Sequence, residues 1–189
     1  MKIVMNKHLW VLVCLFCYTC FQAQAQRRGT YTLLQAGGIF GMATSADQSV
    51  MHGYQFQFAF GRNFYDRMYL GLGISNDVYR GRATLADGRR STRRVNTLPI
   101  FADFRMPVAQ VSPLGRFGVV ANAGYAPGIG ADFFRGFMAK AGLTYGHLLV
   151  GGSDLLFSTG YGFQQFDSRF AGHTFHQHSV FLTVGLFVH

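Results

Sequence analysis

Six arginines lie within residues 80–94, and Asp87 is the only acidic residue in this segment. The planar guanidinium group forms paired hydrogen bonds with phosphate and stays charged at physiological pH. The segment therefore predicts contact with a phosphate-bearing polyanion. The alternative is a solvated basic loop without a specific ligand, because charge runs usually lie on solvated surfaces. The six arginines are Arg80, Arg82, Arg89, Arg90, Arg93 and Arg94.

Three histidines, His173, His176 and His178, lie within six residues of one another. Imidazole nitrogens bind Zn²⁺ and Cu²⁺, so a metal site is one interpretation of this cluster. Asp167 is the only carboxylate close to it in the sequence, and the spacing does not match a known zinc site. We therefore expect a polar loop before a strand, with no metal and no cofactor.

A serine hydrolase would need a nucleophile and a base within hydrogen-bonding reach. His147 could serve as a base, and Ser153 and Ser158 follow it in the sequence. No G-x-S-x-G motif occurs, and no pairing of these groups can be argued from spacing. We expect that the protein is not an enzyme.

The first 25 residues have the features of a secretory signal peptide. Lys2 and Lys7 precede an apolar run over residues 9–21, and Ala23-Gln24-Ala25 supplies the small-x-small cleavage pattern. We predict a signal peptide over residues 1–25 and one domain over residues 26–189. Cleavage would remove all three cysteines and the only tryptophan, and would lower the formal net charge from +9 to +7. Disulfide and thiolate chemistry would then be excluded.

The rest of the chain alternates between bulky apolar residues and small or polar residues, which is the period of a β-strand. Each segment has about the 9–11 residues that a tilted strand needs to cross a bilayer, and the number of segments is even. The pattern predicts an all-β fold, an eight-stranded antiparallel up-and-down transmembrane β-barrel. The predicted strands cover residues 29–42, 52–62, 67–79, 94–105, 116–126, 137–149, 154–166 and 178–188, with a local bulge at Pro99.

The apolar face of each strand is expected to meet lipid. A soluble barrel needs many charged residues outside, but the chain after residue 25 has one lysine and no glutamate. Asp103, Arg105 and Lys140 fall on the opposite face, which would line the lumen. We expect a closed network in which Asp103 pairs with Arg105 or Lys140, since buried charges must be paired. A narrow polar conduit is the alternative.

The connections are expected to alternate between two ends of the barrel. Short turns are predicted near residues 62–66 and 150–154, and a longer one near residues 106–115. Long loops are predicted near residues 43–51, 80–93, 127–136 and 167–177. Aromatic residues near strand ends would form girdles at the membrane interfaces. They are Tyr54, Phe64, Tyr65, Tyr79, Phe133, Phe134 and Phe137.

The chain resembles the small outer-membrane β-barrel family common in Bacteroidota, and more distantly the OmpA/OmpX-type eight-stranded barrels. The resemblance covers residues 29–189. It is carried by the overall plan, by the segments Leu98–Arg105, Ala139–Gly146 and Gly160–Phe163, and by the last strand. Barrels of this kind usually end on an aromatic residue, whereas here the aromatic Phe187 stands two positions earlier.

This resemblance implies a porin-family protein of the Gram-negative outer membrane, inserted by the barrel-assembly machinery. We expect a structural or interaction protein that acts through its outer loops in envelope integrity, adhesion or contact with a partner. The expected partners are outer-membrane lipids, lipopolysaccharide facing the arginine-rich segment, and a neighbouring envelope protein. Nucleic acid is not expected, because the signal peptide exports the chain. A small conduit and, less favoured, a lipid-modifying enzyme are the alternatives.

Overall fold

The computed structural model describes residues 29–42, 50–84, 90–129, 133–167 and 174–189. The predicted signal peptide lies outside these residues, and so do Arg89 and His173. Within the described ranges, no helix is long and apolar enough to cross a membrane.

The described chain consists of β-strands joined by turns and loops. Nine strands follow one another, and consecutive strands run antiparallel wherever they pair. Their bounds are β1 Thr30–Met42, β2 Met51–Phe64, β3 Met68–Thr84, β4 Arg90–Thr97, β5 Ile100–Ser112, β6 Gly115–Ala126, β7 Gly136–Leu148, β8 Ser153–Asp167 and β9 Thr174–Val188.

The sheet closes on itself. β1 pairs with both β2 and β9, while β3 pairs with both β4 and β5. β4 and β5 pair one after the other along the same edge of β3, and so together act as one strand of the wall. The nine strands therefore form a closed eight-stranded antiparallel barrel. The predicted fold is therefore confirmed, and the predicted strand positions agree with the structure to within a few residues, except at β3, β5 and β9, which extend further.

The strand predicted over residues 94–105 is interrupted rather than bulged. β4 ends at Thr97 and β5 begins at Ile100, with Leu98 and Pro99 between them. Proline has no N–H to donate to the ladder. Its carbonyl still accepts a 2.9 Å hydrogen bond from the backbone N of Ser75, which keeps the two pieces aligned on β3.

One end of the barrel, the turn end, carries the short connections at residues 65–67, 113–114 and 149–152. The prediction of a long connection over residues 106–115 is wrong, because β5 continues to Ser112 with two register shifts against β6. Tyr65 and Asp66 have φ of 56° and 57°, and Arg67 N bonds Phe64 O at 3.1 Å. Two successive positive φ values define a type I′ hairpin turn.

The opposite end, the loop end, carries the longer connections. The predicted loop over residues 80–93 is wrong in its larger part, because β3 and β4 form a hairpin in which Thr84 lies opposite Arg90. The predicted loop over residues 167–177 is also too long, because β9 begins at Thr174. Strand pairing continues into both segments.

The outward face of the wall is apolar around its circumference. Exposed fractions reach 70% for Leu72, 61% for Leu143 and 55% for Leu182. The residues on either side of each of these side chains in the sequence have the opposite, inward parity, as the alternation predicts. Further members of the band are Leu34, Phe40, Phe56, Phe60, Leu70, Ile74, Ile100, Phe117, Tyr125, Phe137, Phe157, Tyr161, Val180, Val184 and Leu186.

Inward-facing glycines make room for aromatic rings in the lumen. A Cβ on Gly73 would lie 2.4 Å from the Phe101 ring, and one on Gly71 would lie 2.4 Å from the Tyr31 hydroxyl. Both distances are far below van der Waals contact. The glycine content of the strands therefore determines where bulky side chains fit inside the barrel.

Candidate functional sites in the lumen and on the hairpin

Strand β1 shows how the lumen is layered. From the turn end it presents Tyr31 and Leu33, then Gln35, then Ile39, and all four side chains are buried. β2 follows the same order, with Ala59, then Gln57 and Gln55, then Met51, whereas β9 adds buried Ser179 and Gln177 beyond Phe181. An apolar layer at each end therefore encloses a polar layer in the middle of the lumen.

The first ion pair of the polar layer joins Asp103 and Arg105. Arg105 Nε lies 3.0 and 3.1 Å from the two carboxylate oxygens of Asp103, and Arg105 Nη2 donates to Gln35 Oε1 at 3.2 Å. The hydroxyl of Tyr31 donates to Asp103 Oδ2 at 2.7 Å. The structure thus adopts the Asp103–Arg105 pairing of the two that were considered.

The second ion pair joins Lys140 to Asp77, which is not among the predicted lumen charges. Lys140 Nζ lies 2.9 Å from Asp77 Oδ2 and also donates to Gln55 Oε1. Asp77 is two residues beyond inward-facing Ser75 on the predicted strand. Its alternation parity was therefore sufficient to place it in the lumen beside the other charges.

The apolar layers close the two ends with packed rings. At the turn end, the ring of Tyr69 lies 5.7 Å from that of Tyr31 and 4.9 Å from that of Phe187. At the loop end, Phe166 lies 5.0 Å from Tyr79 and 4.7 Å from Phe175. We call these the turn-end plug and the loop-end plug. The first contains Tyr31, Leu33, Ala59, Tyr69, Leu156 and Phe187, and the second Ile39, Met51, Tyr79, Val95 and Phe166 with Phe134 and Phe175 against it.

The loop-end plug corrects part of the aromatic girdle prediction. Tyr79 is only 1% exposed and lies inside the lumen, and Phe134 packs against the same cluster. Alternation places Tyr79 on the inward parity of β3, which outweighs its position near a strand end. Tyr54, Tyr65 and Phe137 are exposed, with 48%, 93% and 44% of their surface accessible.

A polar cluster lies below the turn-end plug. Arg116 Nε donates to Asp154 Oδ2 at 3.1 Å, and Arg116 Nη2 lies 3.1 Å from His189 Nε2. Asp66 accepts hydrogen bonds from Asn63 and from the Tyr69 hydroxyl. Asp66, Arg116, Asp154 and His189 line a cleft of about 450 Å³, together with apolar side chains of the β5–β6 hairpin.

Burial and the neighbouring Arg116 cation lower the pKa of the His189 imidazole below 6.5, against the opposite effect of Asp154 and Asp66. The carboxyl of Asp66 responds differently. Burial alone would raise its pKa, but the hydrogen bonds from Asn63 and Tyr69 and the charges of His189 and Arg116 outweigh burial and lower it.

The arginine-rich segment forms the β3–β4 hairpin rather than a loop. The register places Arg80 directly opposite Arg94, and both side chains are exposed. Arg82 lies opposite Thr92, Arg90 opposite Thr84, and Arg93 opposite Gly81. The structure therefore brings Arg80 and Arg94 together and places Arg82, Arg90 and Arg93 at other positions along the hairpin.

His176 and His178 lie on β9 and not in a loop. Both rings pack against Phe163 on β8, with centroids 5.5 and 5.4 Å away, and His178 Nδ1 forms a hydrogen bond with the Tyr161 hydroxyl. Among the described residues, no group of three or more His, Cys, Asp or Glu side chains is arranged so that it could hold a metal ion.

The hydrolase candidates do not come together in this part of the chain. Ser158 is 2% exposed and faces the lumen. His147 lies opposite Leu155 on β8. Leu155 is three residues before Ser158, so Leu155 and His147 point outward where Ser158 points inward. The barrel wall separates the two side chains. No hydrogen bond between His147 and Ser153 is found in the described residues.

The closed wall, the apolar outer band and the polar layer inside together define an eight-stranded antiparallel barrel with an apolar exterior. Among solved structures, the chain is similar to Neisserial surface protein A (NspA), with a TM-score of 0.50 and 15% sequence identity over 84% of this chain and 96% of that chain. At this identity the likeness concerns the fold alone. No protein-family model and no curated protein matches the sequence.

Proposed function

We propose that the chain is an integral protein of the Gram-negative outer membrane that acts as a structural or interaction protein, without conducting solutes. The apolar outer band supports a membrane location, because large exposed apolar surfaces are rare on soluble monomers. Antiparallel closure also leaves no unpaired sheet edge within the band, as a lipid environment requires.

The proposal of a non-conducting role depends on the packed side chains of the two plugs in the described lumen. Two ion pairs use the carboxylates and cations of the polar layer, and a plug of packed rings lies on each side of that layer. An ion crossing the lumen would have to displace both plugs. The small conduit is therefore the less favoured alternative.

The surfaces available for a partner are then the two ends and the outer wall. In outer-membrane barrels the short turns face the periplasm and the longer loops face outward. This orientation would place the β3–β4 hairpin at the cell surface, where its arginines would contact lipopolysaccharide or another polyanion. Envelope integrity, adhesion and contact with a neighbouring envelope protein are the roles that this placement allows. A lipid-modifying enzyme is not favoured, since Ser158 and His147 lie on opposite sides of the wall.

The finer assignments belong to the same proposal. They are membership of the porin-like barrels of Bacteroidota or the OmpA/OmpX type, export by the signal peptide over residues 1–25, and insertion by the barrel-assembly machinery. The alternating strands and the resemblance of particular segments support the first and the third, and the basic start, apolar run and small-x-small pattern of residues 1–25 support the second.

The experiment combines membrane fractionation with planar-bilayer recording. We expect the protein in the outer-membrane fraction and a conductance near zero after reconstitution. Recovery in the soluble periplasmic fraction would contradict the membrane proposal. A large and steady single-channel conductance would favour the conduit instead.

A further inference from the structure

Three basic residues form a row across neighbouring strands near the loop end. The register places His52 of β2 opposite Arg80 of β3, and Arg80 opposite Arg94 of β4. All three side chains are exposed. The described ion pairs are made by other cations, and none of the described carboxylates pairs with this row.

The row lies on the outer wall, just beyond the apolar band. The next row of the same parity toward the middle of the barrel consists of Tyr54, Val78 and Asn96, of which Val78 is buried and Asn96 half-buried. Tyr54 is 48% exposed, and aromatic residues of this kind mark the membrane interface. Two residues of an antiparallel strand span about 7 Å. The basic row is therefore at the height expected for lipid headgroups.

Like charges directly opposite each other destabilise a pair of antiparallel strands. The pairing of Arg80 with Arg94 is thus unfavourable by itself, and a bound anion would remove the cost. Arg94 Nε donates to Asn96 Oδ1 at 3.2 Å, which orients that guanidinium while leaving its two terminal nitrogens available. Guanidinium groups bind phosphate oxygens through paired hydrogen bonds.

We propose that His52, Arg80 and Arg94 form a binding site on the outer wall for a phosphate group of a membrane lipid. This assignment rests on the proposed membrane location and makes it more specific, because it identifies the row at the base of the hairpin as the contact. A phosphate group could also come from a soluble polyanion. The lateral position of the row, facing where lipid would lie, favours the lipid.

The test uses the full mature chain, refolded in detergent micelles, and native mass spectrometry to measure lipid adducts. The probes are diphosphoryl lipid A, the same lipid after enzymatic removal of its phosphates, and inorganic pyrophosphate as the soluble source. The variant is Arg80→Gln/Arg94→Gln. Its matched control is Arg62→Gln/Arg67→Gln, which removes two exposed arginines at the turn end.

We expect the row variant to bind diphosphoryl lipid A at least tenfold more weakly than the native chain, on the order of one lost charge-assisted hydrogen bond. The control variant should bind like the native chain, and the dephosphorylated lipid should bind weakly to all three. Equal binding by the row variant and the native chain would overturn the proposal. Pyrophosphate binding that is lost in the row variant, without any loss of lipid binding, would assign the site to a soluble anion and overturn the lipid assignment.

Folding is checked by the shift in electrophoretic mobility that barrels show on heating. If the double variant does not fold, Arg94→Gln alone and His52→Gln alone are tested in its place, and weakened lipid A binding is expected from each. A native chain that folds in micelles but is absent from the outer membrane would contradict the proposed location. A failure at the row alone would leave that location intact.

Discussion

The hydroxyl of Tyr31 donates a 2.7 Å hydrogen bond to Asp103 across the lumen. The two residues are 72 positions apart in the chain, on β1 and β5, which do not pair with each other. Tyr31 belongs to the turn-end plug, whereas Asp103 belongs to the polar layer. This bond therefore joins the two layers and connects opposite parts of the wall through the interior.

Replacing Tyr31 by phenylalanine tests this link. The ring of Phe keeps the plug packed, but Asp103 loses a donor while remaining buried, so we expect a loss of about 1–3 kcal/mol in the free energy of unfolding. Urea titration of the refolded barrel in micelles measures it. Tyr65→Phe is the control. Because Tyr65 is exposed at the turn end, this substitution should leave the free energy of unfolding unchanged. Equal stability of Tyr31→Phe and the native chain would show that the bond contributes nothing.

Substitutions of Lys140 and Asp77 are expected to have strongly non-additive effects on the free energy of unfolding. Lys140→Met leaves the Asp77 carboxylate buried without its cation, and we expect a cost of about 3–5 kcal/mol. Adding Asp77→Leu removes the unpaired charge, so the double variant should recover most of this loss. A double-mutant cycle in urea gives the coupling. Additive losses would contradict a direct pairing inside the lumen.

Gly73 predicts a steric effect rather than an electrostatic one. A Cβ at this position would lie 2.4 Å from the Phe101 ring and 2.9 Å from the backbone O of Phe58, so Gly73→Ala should lower stability by about 1–3 kcal/mol through overpacking. Gly38→Ala is the matched control, since its nearest neighbour is the end of the Phe40 side chain at 3.0 Å. Adding Phe101→Leu should partly rescue Gly73→Ala, because it removes the ring. Rescue is read from the same urea transitions.

The fold was predictable because one repeating signal determines it. Strict alternation places each side chain on one face of the wall, and the low charge content identified the apolar face as the outer one. The same parity placed Asp103, Arg105 and Lys140 inside. The girdle prediction for Tyr79 was wrong because it relied on the position of Tyr79 near a strand end. The alternation parity of Tyr79 places it in the lumen, and the structure follows the parity.

The segments that could not be predicted are those where polar composition resembles a loop. Residues 80–93 carry many arginines, yet strand pairing continues into the hairpin because backbone hydrogen bonds do not depend on side-chain polarity. The register that sets Arg80 opposite Arg94 is likewise a property of pairing between strands. Partner choice in the lumen, Asp77 with Lys140, depends on the closure of the barrel, which brings residues 63 positions apart into contact.

Cleavage of the predicted signal peptide has a spectroscopic consequence. Trp10 is the only tryptophan of the sequence, so the purified mature protein should show tyrosine emission without a tryptophan band. Intact mass should correspond to a chain beginning after Ala25. The control is the full-length chain refolded from inclusion bodies, which retains Trp10 and should emit. Tryptophan emission from protein purified from the membrane would contradict cleavage.

His189 predicts a pH dependence with a defined sign. Because burial and Arg116 lower its pKa below the ordinary value of 6.5, the folded barrel takes up this proton less readily than the unfolded chain. The contribution of His189 to stability is therefore constant above pH 6.5 and is lost progressively as the pH falls from 6.5 through the folded-state pKa. NMR titration of the imidazole should give a midpoint below 6.5.

Two variants test why the pKa of His189 is lowered, because they should move its titration midpoint in opposite directions. Asp66→Asn removes an anion that raises the His189 pKa, so the midpoint should fall further. Arg116→Gln removes the cation that lowers it, so the midpoint should rise, although this variant also leaves buried Asp154 without its partner and should be less stable. Asp66 is mostly exposed, and its substitution should therefore leave the fold intact. A native midpoint above 6.5, or a rise in Asp66→Asn, would contradict the electrostatic balance at the turn end.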